Sequence, residues 1–356
     1  MSNPEPIILA IESSCDDTSV AVMRGFEVLS NCVHNQAIHS QFGGVVPELA
    51  SRAHIQAIVP TISASLEIAE LQISQIDAVA VTQGPGLLGS LLVGHSFAKS
   101  LSIALGIPII NVHHMEGHML SSFLIEKNIQ KVDSRLEFPY LCLTVSGGHT
   151  QIVIVHNWNE FEILGQTLDD AVGEAFDKSA KLLSLSYPGG PVVDEKSQNG
   201  NPKRFPFNTA KVAGFDFSYS GVKTSILQTM QREQKKRPDT LINDLPDWCA
   251  SIQLSLISPL IKNIKKAILE TGIKRISIAG GVSANSLLRE QIRVLGESMG
   301  LKTYIPPMSY TTDNAAMIGA VGQFSFQNQK FDSISSSAKA RMVTTNWKLP
   351  NVKQHK

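Results

Sequence analysis

Strand-length apolar runs alternate with helix-length amphipathic stretches along the chain, a pattern that predicts a mixed α/β protein. Ile7-Ile8-Leu9-Ala10-Ile11 is followed by the polar cluster Glu12-Ser13-Ser14-Cys15-Asp16-Asp17-Thr18 and then by Ser19-Val20-Ala21-Val22. Strand, tight polar turn and strand is the economical reading, with a third strand over about 26–33. From Pro47, a favourable first helical residue, the pattern is helical to about Glu70, with Pro60 marking a break or kink. Residues 77–82 read as a buried strand. They feed the glycine-rich loop Gln83-Gly84-Pro85-Gly86-Leu87-Leu88-Gly89-Ser90, which opens a long apolar helix. The loop matches neither common phosphate-binding glycine pattern, so close helix packing competes with anion binding there. The next strand, 106–112, runs straight into His113-His114-Met115-Glu116-Gly117-His118.

The second half opens on the plan of the first. Tyr140-Leu141-Cys142-Leu143-Thr144-Val145 leads through Ser146-Gly147-Gly148-His149-Thr150 into Gln151-Ile152-Val153-Ile154-Val155. Repetition of this device predicts two related lobes. Thr167-Leu168-Asp169-Asp170-Ala171 reads as a helix start with acids in its first turn. Residues 199–219 lack periodicity, a long helix spans about 245–271, and Gly280-Gly281-Val282-Ser283-Ala284-Asn285 joins a strand to a helix. Thr311-Thr312-Asp313-Asn314-Ala315-Ala316 opens the last firm helix, and the chain beyond about 331 is polar and weakly patterned. The predicted division is an N-terminal lobe over 1–125, with the helix at 313–330 packing back on it, a C-terminal lobe over 126–312, and a loosely held tail over 331–356.

Composition narrows the class. A chain of 356 residues with 43% hydrophobic and 17% charged residues suits a packed two-lobe enzyme rather than a disordered protein. Thirty-one basic residues balance thirty-one acidic ones, so any polyanion must meet a local patch. Lys203, Arg204, Lys211, Arg232, Lys235, Lys236 and Arg237 are the best candidates for an RNA backbone, against the plainer reading of a solvated surface. Four dispersed cysteines without a C-x-x-C pair disfavour disulfides and thiolate metal sites, and a reducing cytoplasm is the expected location. The run 87–112 is broken by His95 and Lys99 and changes to a strand pattern, so no membrane span is expected.

On a helix, His114 and His118 stand at i and i+4 and present two imidazoles on one face, a spacing that suits one divalent metal. The alternative is a histidine-rich helix start whose rings are only hydrogen-bonded. Asp313, at a loop-to-helix junction, reads equally as a helix cap or as a carboxylate free to complete such a site. Asp16 or Asp17 suits a cation beside a phosphate, or ordinary turn capping.

These segments, taken in order with Phe176-Asp177-Lys178 and Tyr187-Pro188-Gly189-Gly190-Pro191, resemble the tRNA adenosine threonylcarbamoyltransferases of the bacterial TsaD type. The likeness runs from Ile8 to about Gly319. One departure is visible: Ser13 and Asp17 stand where the family commonly has Thr and Glu. The resemblance implies a two-lobed actin-like ATPase fold, two RNase-H-like lobes around a central cleft. It implies transfer of a threonylcarbamoyl group from threonylcarbamoyl-adenylate to the exocyclic amine of the adenosine beside a tRNA anticodon, releasing AMP. By matching positions, His114, His118 and Asp313 would hold one divalent ion, iron or zinc. Thr144, Val145, Ser146, Gly147, Gly148, Asp177, Gly190, Asp194 and Asn285 would line the adenylate or ATP-type nucleotide. Asp16 or Asp17 would assist proton removal.

The implied partners are tRNA, a smaller actin-like paralogue of the TsaB type and a P-loop ATPase of the TsaE type. Rival readings are an ATPase or kinase of the same fold, a non-enzymatic scaffold, and a metalloprotease. The last is disfavoured because Glu116 lies two residues after His114, about 200° around a helix and away from the histidine face, so it cannot be the general base of that motif.

Overall fold

The chain runs β1 (Ile7–Glu12), β2 (Asp17–Arg24), β3 (Glu27–Asn35), α1 (Pro47–Ala69), β4 (Ala78–Gly84), α2 (Leu88–Leu105), β5 (Ile109–His113), α3 (His114–Leu120) and β6 (Ile125–Glu126). It continues through β7 (Tyr140–Val145), β8 (Thr150–Asn157), β9 (Glu160–Gln166), α4 (Val172–Leu182), α5 (Gly189–Ser197), α6 (Ser220–Lys236), α7 (Thr240–Asn243) and α8 (Leu245–Thr271). The last elements are β10 (Arg275–Ala279), α9 (Ser286–Met299), β11 (Lys302–Tyr304), α10 (Ala315–Gln327) and β12 (Trp347–Lys348). This computed structural model describes residues 5–42, 44–127, 136–210, 212–342 and 347–348. Two compact units result: Met1–Arg135 with Thr312–Thr344, and Leu136–Thr311 with Thr345–Lys356.

Each unit is built on the same sheet plan. In the first the strand order is β5-β4-β1-β2-β3-β6, and in the second β11-β10-β7-β8-β9-β12. β1 to β3 form an antiparallel meander, and β4 and β5 add in parallel beside β1. β7 to β9, β10 and β11 repeat the arrangement. Parallel strands need crossovers, and α2 supplies the one from β4 to β5 and α9 the one from β10 to β11. A three-strand meander extended by parallel strands is the RNase-H-like core expected of an actin-like lobe, and the chain carries it twice.

Alternation along β1 explains the layering of the first unit. Leu9 and Ile11 join a buried cluster with Ile58, Ile62 and Ala98 from α1 and α2. Ile8 and Ala10 point the other way, toward α10, where a Cβ on Gly322 would lie 3.5 Å from Ile8 and one on Gly319 would lie 3.4 Å from Ala10. Burial of each such aliphatic side chain contributes about 1.5–3 kcal/mol. In the second unit Leu141, Leu143 and Val145 pack with Phe176, Trp248, Ile252 and Leu256.

Four local readings are changed or narrowed. α1 runs unbroken through Pro60, whose neighbours Ala57, Ile58, Thr61 and Ile62 are buried and hold the helix against the sheet. The first residue of α4 is Val172, and Asp169 serves a different helix: its carboxylate accepts hydrogen bonds from Tyr219 N, Ser220 N and the Ser218 and Ser220 hydroxyls at the start of α6. Both the glycine-rich loop before α2 and the helix serve close packing: an added Cβ at Gly86 in the loop would lie 2.4 Å from Ser14 O, and one at Gly94 within α2 would lie 2.3 Å from Ser13 Oγ.

The fourth change concerns the segment after 331, expected to be loose. Its described part, to Met342, is tied down: Asp332 N donates to Ile109 O (2.9 Å), Asn111 N to Asp332 Oδ2 (2.8 Å), Lys339 N to Gln83 O (2.8 Å) and Gly86 N to Ala340 O (3.2 Å). Backbone groups at the ends of β4 and β5 find their partners in this strap. The rest of the expected tail, apart from β12, lies outside the described residues.

Candidate metal centre

β1, β4 and β5 run parallel and end side by side, and polar chemistry collects at their carboxyl ends. β5 turns directly into α3. His113, the last strand residue, caps that helix: its Nδ1 accepts from Met115 N at 3.2 Å, which leaves Nε2–H facing Met342 O at 3.4 Å. The cap fixes the first turn of α3, so His114 and His118 project from one face with their rings 4.8 Å apart at 89°. α10 brings Asp313 to them from the end of the same unit, with Asn314 capping through Oδ1 on Met317 N (3.1 Å). Asn314, and not Asp313, is therefore the helix cap, and Asp313 is free for other work.

Asp313 Oδ1 lies 3.4 Å from His114 Nε2 and 3.1 Å from His118 Nε2. Bonds of about 2.1 Å around a tetrahedral ion put neighbouring ligand atoms about 3.4 Å apart, so the two spacings from Asp313 to the histidines match such an ion. All three lie within 4.8 Å of one another, and His114 and His118 are buried. His118 Nδ1 is buried without a partner among the described residues, so this ring is held only from its Asp313 side. Two imidazoles and a carboxylate suit zinc or ferrous iron better than magnesium or calcium, which prefer all-oxygen sets. The electrostatics agree. Burial opposes charge on His114, yet Asp313 and then Glu12 hold its imidazole well above its ordinary pKa. Burial is likewise overcome at Asp313, which His114 and then His118 hold well below the usual carboxylate range.

The turn after β1 packs against this cluster. His54 of α1 accepts from the Thr18 hydroxyl at Nδ1 (2.7 Å) and donates to Cys15 O from Nε2 (3.0 Å), fixing the turn from below. Burial and the carboxylates of Asp16, Asp313 and Glu12 push the Cys15 thiol far up, so it stays protonated and is no nucleophile. Asp17 accepts from Asn35 Nδ2 (2.7 Å), and burial together with Asp16 raises it to about 6.

The residues expected to hold an adenylate belong to the second unit, where they form three local groups. Thr144 and Val145 are buried at the end of β7, Ser146 accepts from His149 N through Oγ (3.0 Å), and Gly147 and Gly148 are exposed. Beside them Gly280 has φ +87°, and a Cβ there would lie 2.4 Å from Val145 O, so only glycine fits. Asp177 Oδ1 accepts from Gly189 N (2.7 Å), and Gly190 N–H also bonds this carboxyl. Burial nevertheless raises the Asp177 pKa. Asp194 is engaged by Ser286 N (2.8 Å) and Ser286 Oγ (2.5 Å). Asn285, expected to line the nucleotide, uses both ends of its amide internally, Oδ1 accepting from Leu288 N (3.0 Å) and Nδ2 donating to Gln253 Oε1 (3.1 Å).

Several of the basic residues expected to touch RNA have carboxylate partners: Arg204 with Asp247 (3.3 Å), Arg232 and Lys236 with Glu233 (3.2 and 3.1 Å), and Arg237 with Asp244. Lys211 lies outside the described residues. Reasoning from the sequence missed Glu12, Thr82 and the capping role of His113. A carboxylate ending an otherwise apolar strand was the signal available for Glu12.

Comparison with known proteins gives the family. Residues 27–320 match the family described as "TsaD: tRNA N6-adenosine threonylcarbamoyltransferase". A tRNA N6-adenosine threonylcarbamoyltransferase of Riemerella anatipestifer is 51% identical over 337 residues, covering 95% of this chain and 98% of the relative. One of Christiangramia forsetii is 51% identical over 341 residues, covering 96% and 99%. Among solved structures, full-length HypF in its phosphate- and nucleotide-bound form superposes with a TM-score of 0.60 at 12% identity, over 93% of this chain and 48% of that one. HypF of T. kodakarensis gives 0.61 at 13%, over 92% and 49%. The chain thus spans about half of HypF, and that likeness concerns the fold alone. With a family match over most of its length and near-complete relatives at half identity, the chain belongs to the TsaD family of tRNA N6-adenosine threonylcarbamoyltransferases.

Proposed function

We propose that this protein transfers the threonylcarbamoyl group of threonylcarbamoyl-adenylate to N6 of the adenosine 3′ of the anticodon, in tRNAs that read codons beginning with A. The N6 nitrogen forms a bond to the carbamoyl carbon, the bond from that carbon to the adenylate oxygen breaks, AMP departs, and N6 loses one proton. The observation that carries the reading is the triad of buried His114 and His118 with half-buried Asp313, gathered beside the strand ends in a chain of this family. When bound, an iron or zinc ion supplies Lewis acidity toward an oxygen of the acyl group.

The chain's own residues do the remaining work. His114, His118 and Asp313 hold the ion. Ser146-Gly147-Gly148, Asp177, Gly190 and Asp194 seat the adenylate, with exposed glycines allowing close backbone approach. Asp194 then exchanges its Ser286 contacts for ribose hydroxyls. Asn285 acts by capping α9 and shaping the Gly280 turn. Asp17, raised to about 6, is poised to accept the N6 proton near neutral pH. Orientation and charge stabilisation, rather than a protein nucleophile, carry the transfer.

Partners and location belong to the same reading. Ile55, Val59, Leu88, Leu92 and Ile103 are exposed on α1 and α2, at 64%, 55%, 49%, 48% and 69%. They offer an apolar face for a smaller actin-like paralogue, and a P-loop ATPase completes the assembly in the cytoplasm. α2 is apolar and long enough to cross a membrane by composition, but it packs on the first unit's sheet through Leu91, Gly94 and Ala98. The test is incubation with threonylcarbamoyl-adenylate and unmodified tRNA, with and without the partners, followed by nucleoside mass spectrometry. Threonylcarbamoyladenosine with stoichiometric AMP supports the reading. Steady ATP turnover without acyl transfer supports the kinase or ATPase alternative.

A further inference from the structure

Glu12 ends β1 with its side chain 1% exposed, and every polar contact it makes comes from a donor or a group that can donate. Oε1 accepts from Ser14 N at 2.5 Å. Oε2 accepts from the Thr82 hydroxyl at 2.5 Å and lies 3.1 Å from His114 Nδ1. Ser14 N is a backbone amide and can only donate, and a carboxylate can only accept. With the carboxylate ionised, His114 Nδ1 must carry its proton toward Glu12, and Nε2, 3.4 Å from Asp313, is the nitrogen left to exchange its proton for a metal. The Ser14 hydroxyl sits farther from the same nitrogen, at 3.3 Å. His118 has no comparable brace at Nδ1 among the described residues, so the two candidate ligands are held differently.

Three adjacent strand ends build this brace. β1 supplies Glu12, β4 supplies Thr82 beside it in the parallel register Ile11↔Val81, and β5 delivers His114. Carboxylates behind a histidine ring are the common way to fix which nitrogen binds a metal, and their loss weakens affinity about 10- to 100-fold.

We propose that Glu12, clamped by Ser14 N and Thr82 Oγ1, is the positioning residue that fixes the ring and tautomer of His114 so that Nε2 alone faces the metal. Glu12 is not itself a ligand and does not touch the reacting groups. The inference rests on the metal reading of the proposed function, but its test does not require transfer activity.

Zinc affinity is measured on the full-length protein by competition with a chelator, for wild type, Glu12→Gln, Glu12→Ala and Thr82→Val. Each variant is checked for cooperative melting. Glu12→Gln keeps the size but must turn an amide N–H against either the Ser14 N–H or the His114 N–H. The expected result is a loss of zinc affinity of about 10- to 100-fold for Glu12→Gln and Glu12→Ala and a smaller loss for Thr82→Val, with one zinc still bound per chain at saturation. Nitrogen-15 imidazole spectra of the zinc-loaded wild type provide a readout independent of variant folding. They are expected to show His114 protonated at Nδ1 and metallated at Nε2. Unchanged zinc affinity in a folded Glu12→Gln protein, or metallation of His114 at Nδ1, overturns the proposal. If zinc binding follows the expected pattern while no transfer is detected under any condition, the role of Glu12 stands and the proposed reaction fails.

Discussion

His113 Nδ1 accepts a hydrogen bond from Met115 N at 3.2 Å, and this contact turns a strand into the helix that carries both candidate ligand histidines. His113→Ala removes the cap and should lower stability by about 1 kcal/mol, with a modest loss of metal affinity because α3 frays at its first turn. His113→Asn, which retains a capping oxygen, should restore most of the stability. Thermal melting with metal titration on both variants checks this.

Asp313 and His118 meet at 3.1 Å. Asp313→Ala removes a candidate ligand and also leaves two buried imidazoles without their carboxylate. Metal binding should fall at least 100-fold, and Asp313→Asn should fall nearly as far because a neutral amide is a poor substitute for a carboxylate toward a divalent ion. Metal content after dialysis, measured by elemental analysis, is the check.

Gly280→Ala tests the turn after β10. The residue sits at φ +87° and its Cβ would come 2.4 Å from Val145 O, so strain and overlap act together. A loss of about 2–4 kcal/mol is expected from denaturant unfolding of the purified variant. The metal triad lies in the other unit, so metal affinity should be retained.

Asp17 gives a pH signature. Its pKa rises from 3.8 to about 6, so the folded protein binds this proton more tightly than the unfolded chain. Stability from this group is therefore greatest below pH 4, falls as pH rises between 4 and 6, and stays reduced above that range. In metal-free protein, Asp17→Asn should be more stable than wild type at pH 7, by at most ~3 kcal/mol, and the difference should vanish toward pH 4. Equilibrium unfolding at several pH values checks the sign. If Asp17 accepts the N6 proton, the same variant should lose transfer rate while gaining stability.

Apolar periodicity made the repeated strand-turn-strand device legible in the sequence, because buried strands at Ile7 and Tyr140 leave little alternative. The i, i+4 histidines were legible for the same local reason, and Asp313 became their partner only through resemblance, since nearly two hundred residues separate it from His118. What stayed hidden depends on contacts between distant segments. Glu12 looked like one acid in a polar turn until Thr82 and His114 arrived from neighbouring strands. Asp169 looked like the start of α4, yet its carboxylate serves α6 about fifty residues away. The strap after Asp332 had no periodicity to announce it, because it is held by backbone groups at the ends of β4 and β5 rather than by an apolar face.

The central claim is that acyl transfer to tRNA depends on the triad of His114, His118 and Asp313. The most direct test is a single-turnover reaction of wild type and His114→Ala with threonylcarbamoyl-adenylate, unmodified tRNA and partner proteins. Bound metal and threonylcarbamoyladenosine are quantified in the same samples. The expected result is modified nucleoside in proportion to bound metal in wild type, and loss of both in His114→Ala. A metal-free His114→Ala protein that modifies tRNA at the wild-type rate would contradict the account.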